Sequence, residues 1–337
     1  GIIGLGSGRN SDAIILSSMP TARRGDDLVP LSAQVLTGRV VRFARWVLAQ
    51  LPPGAEEPEV KLLFEQAAAV FLFPTAQEAA RLEAQVVANL SDRRKSVPEA
   101  TVLKSGPLEL TVAADGSLDV RDSRNGRIWR SSRVQPGLIP LSITKTSKAI
   151  TVKGLDPQSA QDRTAVIEPR GDEVHITLKG TGPLQQFAYP AGFAVPAGST
   201  LVLPMNEGIG YPVEDPAVPE WTLIAYGGHG ICMPWWGLSD RGAAAMTVLV
   251  TADDAGVSIR RHSGIAVARA SFEGQKGQFG YDRRLFLKFI AKGDHVQMTK
   301  AYRAYVKAQG RLVTLAEKRK RVPAVDKLVG ALNLWTW

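Results

Sequence analysis

One cysteine, four histidines and no apolar run of membrane-spanning length mark this 337-residue sequence first. With Cys232 alone, no disulfide can close within the chain and no cysteine-based metal site can be built. His175, His229, His262 and His295 are widely separated and show no H-x-x-x-H spacing, which argues against a histidine zinc site. No metal and no cofactor is expected. The longest apolar runs, such as Ala67 to Phe73, fall far short of the ~20 residues that cross a bilayer, so no membrane partner is expected either. Charged residues make up 22%, an ordinary share that excludes a wholly disordered or collagen-like chain.

What the chain does have is apolar mass: 45% hydrophobic residues. A chain of this length hides ~75% of the surface it would expose unfolded, so a large core is available, and two domains are a natural prior. Lys plus Arg number 41 against 32 Asp plus Glu, a net charge of +9. Apart from Arg93-Arg94-Lys95 and Lys318-Arg319-Lys320-Arg321 the charge is spread out. A nucleic-acid surface usually clusters its charge, so solvated surface is the better reading and no nucleic-acid partner is expected. The chain opens at Gly1, with no charged stretch leading into an apolar one. Leu332 to Trp337 reads as a strand that stops short. Both ends are expected to be cut, making the chain a fragment of a longer polypeptide.

Residues 1–97 and 98–337 differ in texture. In the first part Val35, Leu36, Val40, Phe43, Val47 and Leu51 recur at three- and four-residue steps, predicting a helix from about Ser32 that Pro52-Pro53-Gly54 stops. Further helices are expected from Glu57 to Phe73 and, capped by Thr75, through Ala79, Leu82, Val86 and Leu90. They form a small three-helix segment of open role. From Glu99 the pattern becomes short alternating runs between turn residues: Leu108–Val112, Leu118–Val120, Ala149–Val152, Thr164–Ile167, Glu173–Leu178, Thr200–Leu203, Ala245–Val250, Gly256–Ile259 and Arg284–Phe289. About a dozen such strands without intervening helices predict a mainly β, large antiparallel two-sheet sandwich over 98–298. Thr299 to Lys307 reads as a linker helix ended by Gly310, before a basic stretch and an apolar unit from Val325 to Trp337.

Gly4-Leu-Gly6-Ser-Gly8 lacks the preceding strand and the spacing of a dinucleotide loop and is set aside. The stretch from Gly116 to Trp129 spells a hairpin with Asp122 and Asn125-Gly126 at the turn and Trp129 buried on its second strand. His175, inside an alternating strand, is read as structural. Two segments carry binding chemistry. Pro204-Met-Asn206-Glu207-Gly208 holds an amide and a carboxylate between glycines, on a loop that a rigid sandwich would support. Tyr226 to Asp240 pairs Trp235 with Trp236 between glycines. Such rings can pack against the C–H face of a sugar while His229 and Asp240 hydrogen-bond its hydroxyls. The competing reading has both indoles buried between sheets. Strand alternation sends neighbouring side chains to opposite faces, so at most one of the pair meets a ligand. Asp253-Asp254 and Glu214-Asp215 sit in turn-like contexts and point apart, so neither is assigned as the carboxylate pair that glycoside hydrolysis needs.

Taken together, the turn ending at Trp129, the Met205-Asn-Glu-Gly208 loop, the His229 to Trp236 stretch and the tail from Ala301 to Lys318 leading into Pro323-Ala-Val-Asp-Lys-Leu-Val-Gly330 resemble a known arrangement. They look like the sandwich portion of large glycoside hydrolases related to endo-α-N-acetylgalactosaminidases, where it enters the catalytic barrel. The resemblance implies a galactose-mutarotase-like supersandwich followed by a (β/α)8 barrel with its catalytic Asp and Glu at strand ends. Only a first barrel strand, Leu328 to Trp337, falls inside this chain, so the catalytic carboxylates are expected beyond Trp337 and no catalytic residue is assigned. The expected role is a non-catalytic portion that supports the barrel and contacts a glycan substrate through Asn206, Glu207, His229, Trp235, Trp236 and Asp240. A polymeric substrate would place it outside the cell or in the periplasm. The alternative is a stand-alone carbohydrate-binding or scaffolding sandwich without activity.

Overall fold

The computed structural model describes residues 97–331, apart from 134–136, 160, 207, 227–229 and 275, together with the paired strands β1 (Leu5–Ser7) and β2 (Ile14–Leu16) and the helical residue Val60. The three helices expected from Ser32, Glu57 and Thr75 otherwise lie outside the described residues, as do residues 332–337 of the expected barrel strand. Leu328 itself closes a 3-10 helix and Val329-Gly330 form a turn.

The described chain is mainly β and its strands pair antiparallel. A meander of β3 (Ala100–Ser105), β4 (Leu108–Ala113), β5 (Leu118–Asp122) and β6 (Arg127–Ser131) opens it. Next come β7 (Ile139–Lys145), β8 (Ile150–Asp156), β9 (Gln161–Arg170) and β10 (Glu173–Gly180), then the short β11 (Gln186–Phe187) and β12 (Phe193–Ala194). The series ends with β13 (Thr200–Leu203), β14 (Ile209–Pro212), β15 (Thr222–Ile224), β16 (Trp235–Asp240), β17 (Ala243–Leu249), β18 (Ala255–His262), β19 (Ile265–Glu273) and β20 (Arg283–Ile290). They build a nine-stranded sheet in the order β14-β13-β16-β17-β20-β10-β9-β8-β7. The facing layer is divided into β12-β6-β5-β4-β3 and β11-β19-β18-β15.

One continuous core joins the layers, because alternate side chains of all three sheets meet in it. Along β4 and β10 every second residue is buried, the period-two pattern of a sheet with one face inward. Trp129 contributes its ring to this core, 6.0 Å from Phe193 and 6.4 Å from Phe289. Strands β16 and β17 are instead buried almost continuously. The reason lies on the outer face. Helix α1 (His295–Ala308) covers it, placing Met298, Ala301, Tyr302 and Tyr305 against Trp235, Ala244, Met246, Val248 and Phe286.

Helix α1 begins four residues before the expected Thr299. Asp294 caps it by accepting from Val296 N at 2.8 Å, and Gln297 reaches back to Asp294 N at 3.1 Å, a complete capping box. Gly237 in β16 lets the helix close on the sheet, since a Cβ there would overlap Met298 Sδ and lie 3.0 Å from Ala245 O. The basic stretch folds as α2 (Leu315–Arg321), with no buried residue and Arg319 paired with Asp326. No helix among the described residues is long and apolar enough to cross a membrane.

Candidate functional site

Strand alternation separates the two tryptophans. Trp236 joins Leu238 in the core between the sheets, while Trp235 faces α1 and packs on Tyr302 in a tilted pair with ring centroids 5.9 Å apart. Each is 3% exposed. Trp235 has company that Trp236 lacks. It lines a groove of about 610 Å³, within the size range of ligand pockets, between the β13–β14 loop and the first turns of α1.

The loop from Pro204 to Gly208 forms one wall. Asn206 sits at φ +53, a left-handed conformation that asparagine tolerates better than most residues. Two contacts hold the turn: Gly208 N donates to Met205 O at 2.9 Å, and Cys232 N donates to Pro204 O at 2.8 Å. The second contact ties the Asn206 loop to the stretch that carries Met233 and Trp235. His295 and Thr299, one turn apart on α1, form the opposite wall, and Thr299 Oγ1 donates to His295 O at 2.8 Å. The buried indole N–H of Trp235 has no hydrogen-bond partner among the described residues. A buried donor left unpaired costs about 1–3 kcal/mol. The groove thus offers an amide, an imidazole and a hydroxyl beside the edge of a largely buried indole. Asn206, His295 and Thr299 are groups that can hydrogen-bond to the hydroxyls of a polyol.

Of the residues singled out from sequence, the structure brings Asn206 and Trp235 together. Glu207 and His229 lie outside the described residues. Trp236 is committed to the core. Asp240 ends the strand that Trp235 begins, roughly 16 Å away at the rise of a β-strand. It is buried there and paired with Arg127 of β6, a link between the two layers just before the Arg241-Gly242 turn, whose two residues take φ +48 and +75 as a type I′ turn requires. His175 bonds Glu173 at 2.9 Å and stacks on Phe286 at 5.3 Å, in keeping with a structural role. Three of the four adjacent carboxylates, Asp254, Glu214 and Asp215, make structural contacts as well. Asp254 accepts from Arg283 and Tyr281, Glu214 accepts from Gly198 N at 3.1 Å, and Asp215 accepts from Ala217 N at 2.8 Å. His295, Thr299 and Met233 escaped the sequence reading. The Asp294-x-x-Gln297 capping box was the available signal, because it starts the helix at His295 and so turns that side chain toward the Asn206 loop.

No protein-family model matches this sequence, and no curated protein matches it. Solved structures do match. The ligand-free α-N-acetylgalactosaminidase NagBb of Bifidobacterium bifidum aligns with a TM-score of 0.57 and 21% identity over 68% of this chain. Its complex with GalNAc gives a TM-score of 0.58 at 19% identity over the same share. What is shared is the fold. The chain covers 42% of the length of the NagBb chain. Among the described residues no group of three or more His, Cys, Asp and Glu is placed to hold a metal ion.

Proposed function

We propose that this chain is a non-catalytic portion of a glycoside hydrolase that acts on glycans. In this reading the sandwich supports a catalytic barrel and presents the Asn206–Trp235 groove to the sugar. The fold shared with NagBb supports the enzyme context, and the coverage of 42% of that chain is consistent with a portion of a larger enzyme. The observation that carries the sugar contact is the groove itself. It joins an exposed amide loop to an indole whose buried N–H lacks a partner among the described residues. Glu207, His229 and Asp240 stay in the proposal only as neighbours in sequence, and Trp236 only as part of the core beneath the sheet.

The test compares the chain with a longer product of the same gene on aryl α-N-acetylgalactosaminides. The proposal expects no turnover by the chain and turnover by the longer product. Turnover by the 337-residue chain would contradict the placement of the catalytic carboxylates elsewhere. Sugar binding by both with turnover by neither would favour the stand-alone binding module, which the groove permits because the chain builds it unaided.

A further inference from the structure

A second groove, of about 630 Å³, lies along the other flank of α1. Tyr226, the connection between β17 and β18, Tyr281 ahead of β20, and Tyr302, Tyr305 and Arg311 of the helix and its exit enclose it, with Asp253 at its edge. We propose that this groove is a carbohydrate subsite for a neutral pyranose, separate from the Asn206 groove, with the packed pair Trp235–Tyr302 lending one ring to each. The proposal rests on the glycan reading above for its choice of probe; the geometry stands without it.

Three features make the groove a built site. Tyr226 is 60% exposed and takes φ +58, a conformation that costs a bulky residue about 1–3 kcal/mol and persists only when its surroundings impose it. The bond from Tyr226 N to Ile231 O at 2.8 Å fixes that backbone. A side-chain hydrogen bond with Tyr302 joins the Tyr226 ring to the aromatic wall of the groove. Second, the aromatic wall is rigid. Tyr281 bonds Asp254 through its hydroxyl and has the Arg283 guanidinium 4.0 Å from its ring centroid, while Tyr302 and Tyr305 lie 6.1 Å apart. Third, the phenols stay neutral. Burial raises the pKa of both Tyr302 and Tyr305, and a side-chain hydrogen bond to Tyr226 raises that of Tyr302 further. Each phenol can therefore donate and accept at physiological pH.

The charge pattern selects the ligand class. The described lining holds one carboxylate, Asp253, and one guanidinium, Arg311, so these two charges balance and favour neither an anion nor a cation. Asp253 and Arg311 are both exposed, so they reach a ligand at the rim of the groove without first being desolvated. A pyranose matches: its C–H face packs on tyrosine rings, and its hydroxyls both donate to Asp253 and accept from Arg311.

The experiment uses the full chain labelled with 3-fluorotyrosine, which gives six fluorine resonances to assign by Tyr→Phe substitution. N-acetylgalactosamine is titrated in, with the Tyr226 resonance as the readout. The expected result is a saturable shift whose dissociation constant rises about tenfold in Asp253→Asn, the loss of one hydrogen bond to a charged group. That constant is expected to be unchanged in Asn206→Ala. A Tyr226 resonance that stays fixed, or one whose titration Asn206→Ala weakens and Asp253→Asn does not, would overturn the proposal. The glycan reading is judged separately, by turnover in the longer gene product. A fixed Tyr226 resonance alongside such turnover would therefore remove this subsite alone.

Discussion

Replacing Met298 with alanine tests how α1 is held, and the structure sets the size of the effect. Met298 is 0% exposed and sits at the centre of the outer cluster with Trp235, Met246 and Phe286. Truncating a fully buried methionine costs about 2–5 kcal/mol through lost transfer free energy and the cavity left behind. For a domain of this size each kcal/mol lowers Tm by about 2–4 °C, so a loss near 3 kcal/mol lowers it by about 6–12 °C. Gly237→Ala should also destabilise, by about 1–3 kcal/mol, because its methyl would overlap Met298 Sδ and crowd Ala245 O. The double variant distinguishes a specific contact from general damage. With the thioether gone, the new methyl occupies the space it left, so the part of the Gly237→Ala cost that comes from Met298 should disappear, leaving only the crowding of Ala245 O. Urea denaturation followed by tryptophan fluorescence gives the four stabilities. A coupling of about 1–2 kcal/mol is expected; costs that add within ~0.5 kcal/mol would refute the argument that Gly237 exists to admit Met298.

Other expectations concern charge. Arg127→Met leaves Asp240, 3% exposed, with only the 3.7 Å contact to the exposed Arg241 among the described residues and should cost up to about 3–5 kcal/mol; an unchanged melting temperature would contradict the link between layers. The hydrogen bond from His175, with the bond and charge of Lys288, lowers the pKa of Glu173 despite an opposing contribution from burial. A depressed carboxylate stabilises the fold above its unfolded pKa of ~4.3 and loses that contribution as pH falls through the folded value. The stability gap between wild type and Glu173→Gln should accordingly be present at neutral pH and close in acid, and a gap independent of pH would count against the pairing. Tyr302 shows the opposite sign. Burial raises its pKa, so its contribution is present below ~10 and lost as pH rises through the folded value. Tyr302→Phe should then show a shallower alkaline loss of stability than wild type in denaturant titrations.

Strand positions were legible wherever alternation was clean. Thr200–Leu203 matches its expected bounds, and Glu173–Gly180 extends its expected run by two residues. Strands escaped notice where side-chain chemistry disguised them. Ile139–Lys145 contains Pro140, which argues against a strand interior; it survives at the sheet edge with a register shift between Pro140 and Ser142. Ile265–Glu273 is diluted by alanine and serine, poor strand formers that its central place in a sheet tolerates. In the candidate site, alternation correctly sent Trp235 and Trp236 to opposite faces. It could not say which face a helix would cover, because that depends on Gly237 and Met298, about 60 positions apart in sequence, meeting in space. Asp240 shows the same limit. Its partner Arg127 lies in another layer, so pairing rather than ligand contact could not be foreseen.

The most direct measurement follows the indole N–H of Trp235 as the full chain, labelled with nitrogen-15 at tryptophan, is titrated with N-acetylgalactosamine. Seven indole resonances are available, and Trp→Phe variants assign them. Binding in the Asn206–Trp235 groove predicts a saturable shift of the Trp235 indole with the Trp236 indole unmoved. A Trp235 resonance that stays in place while the sugar is in large excess would contradict the account.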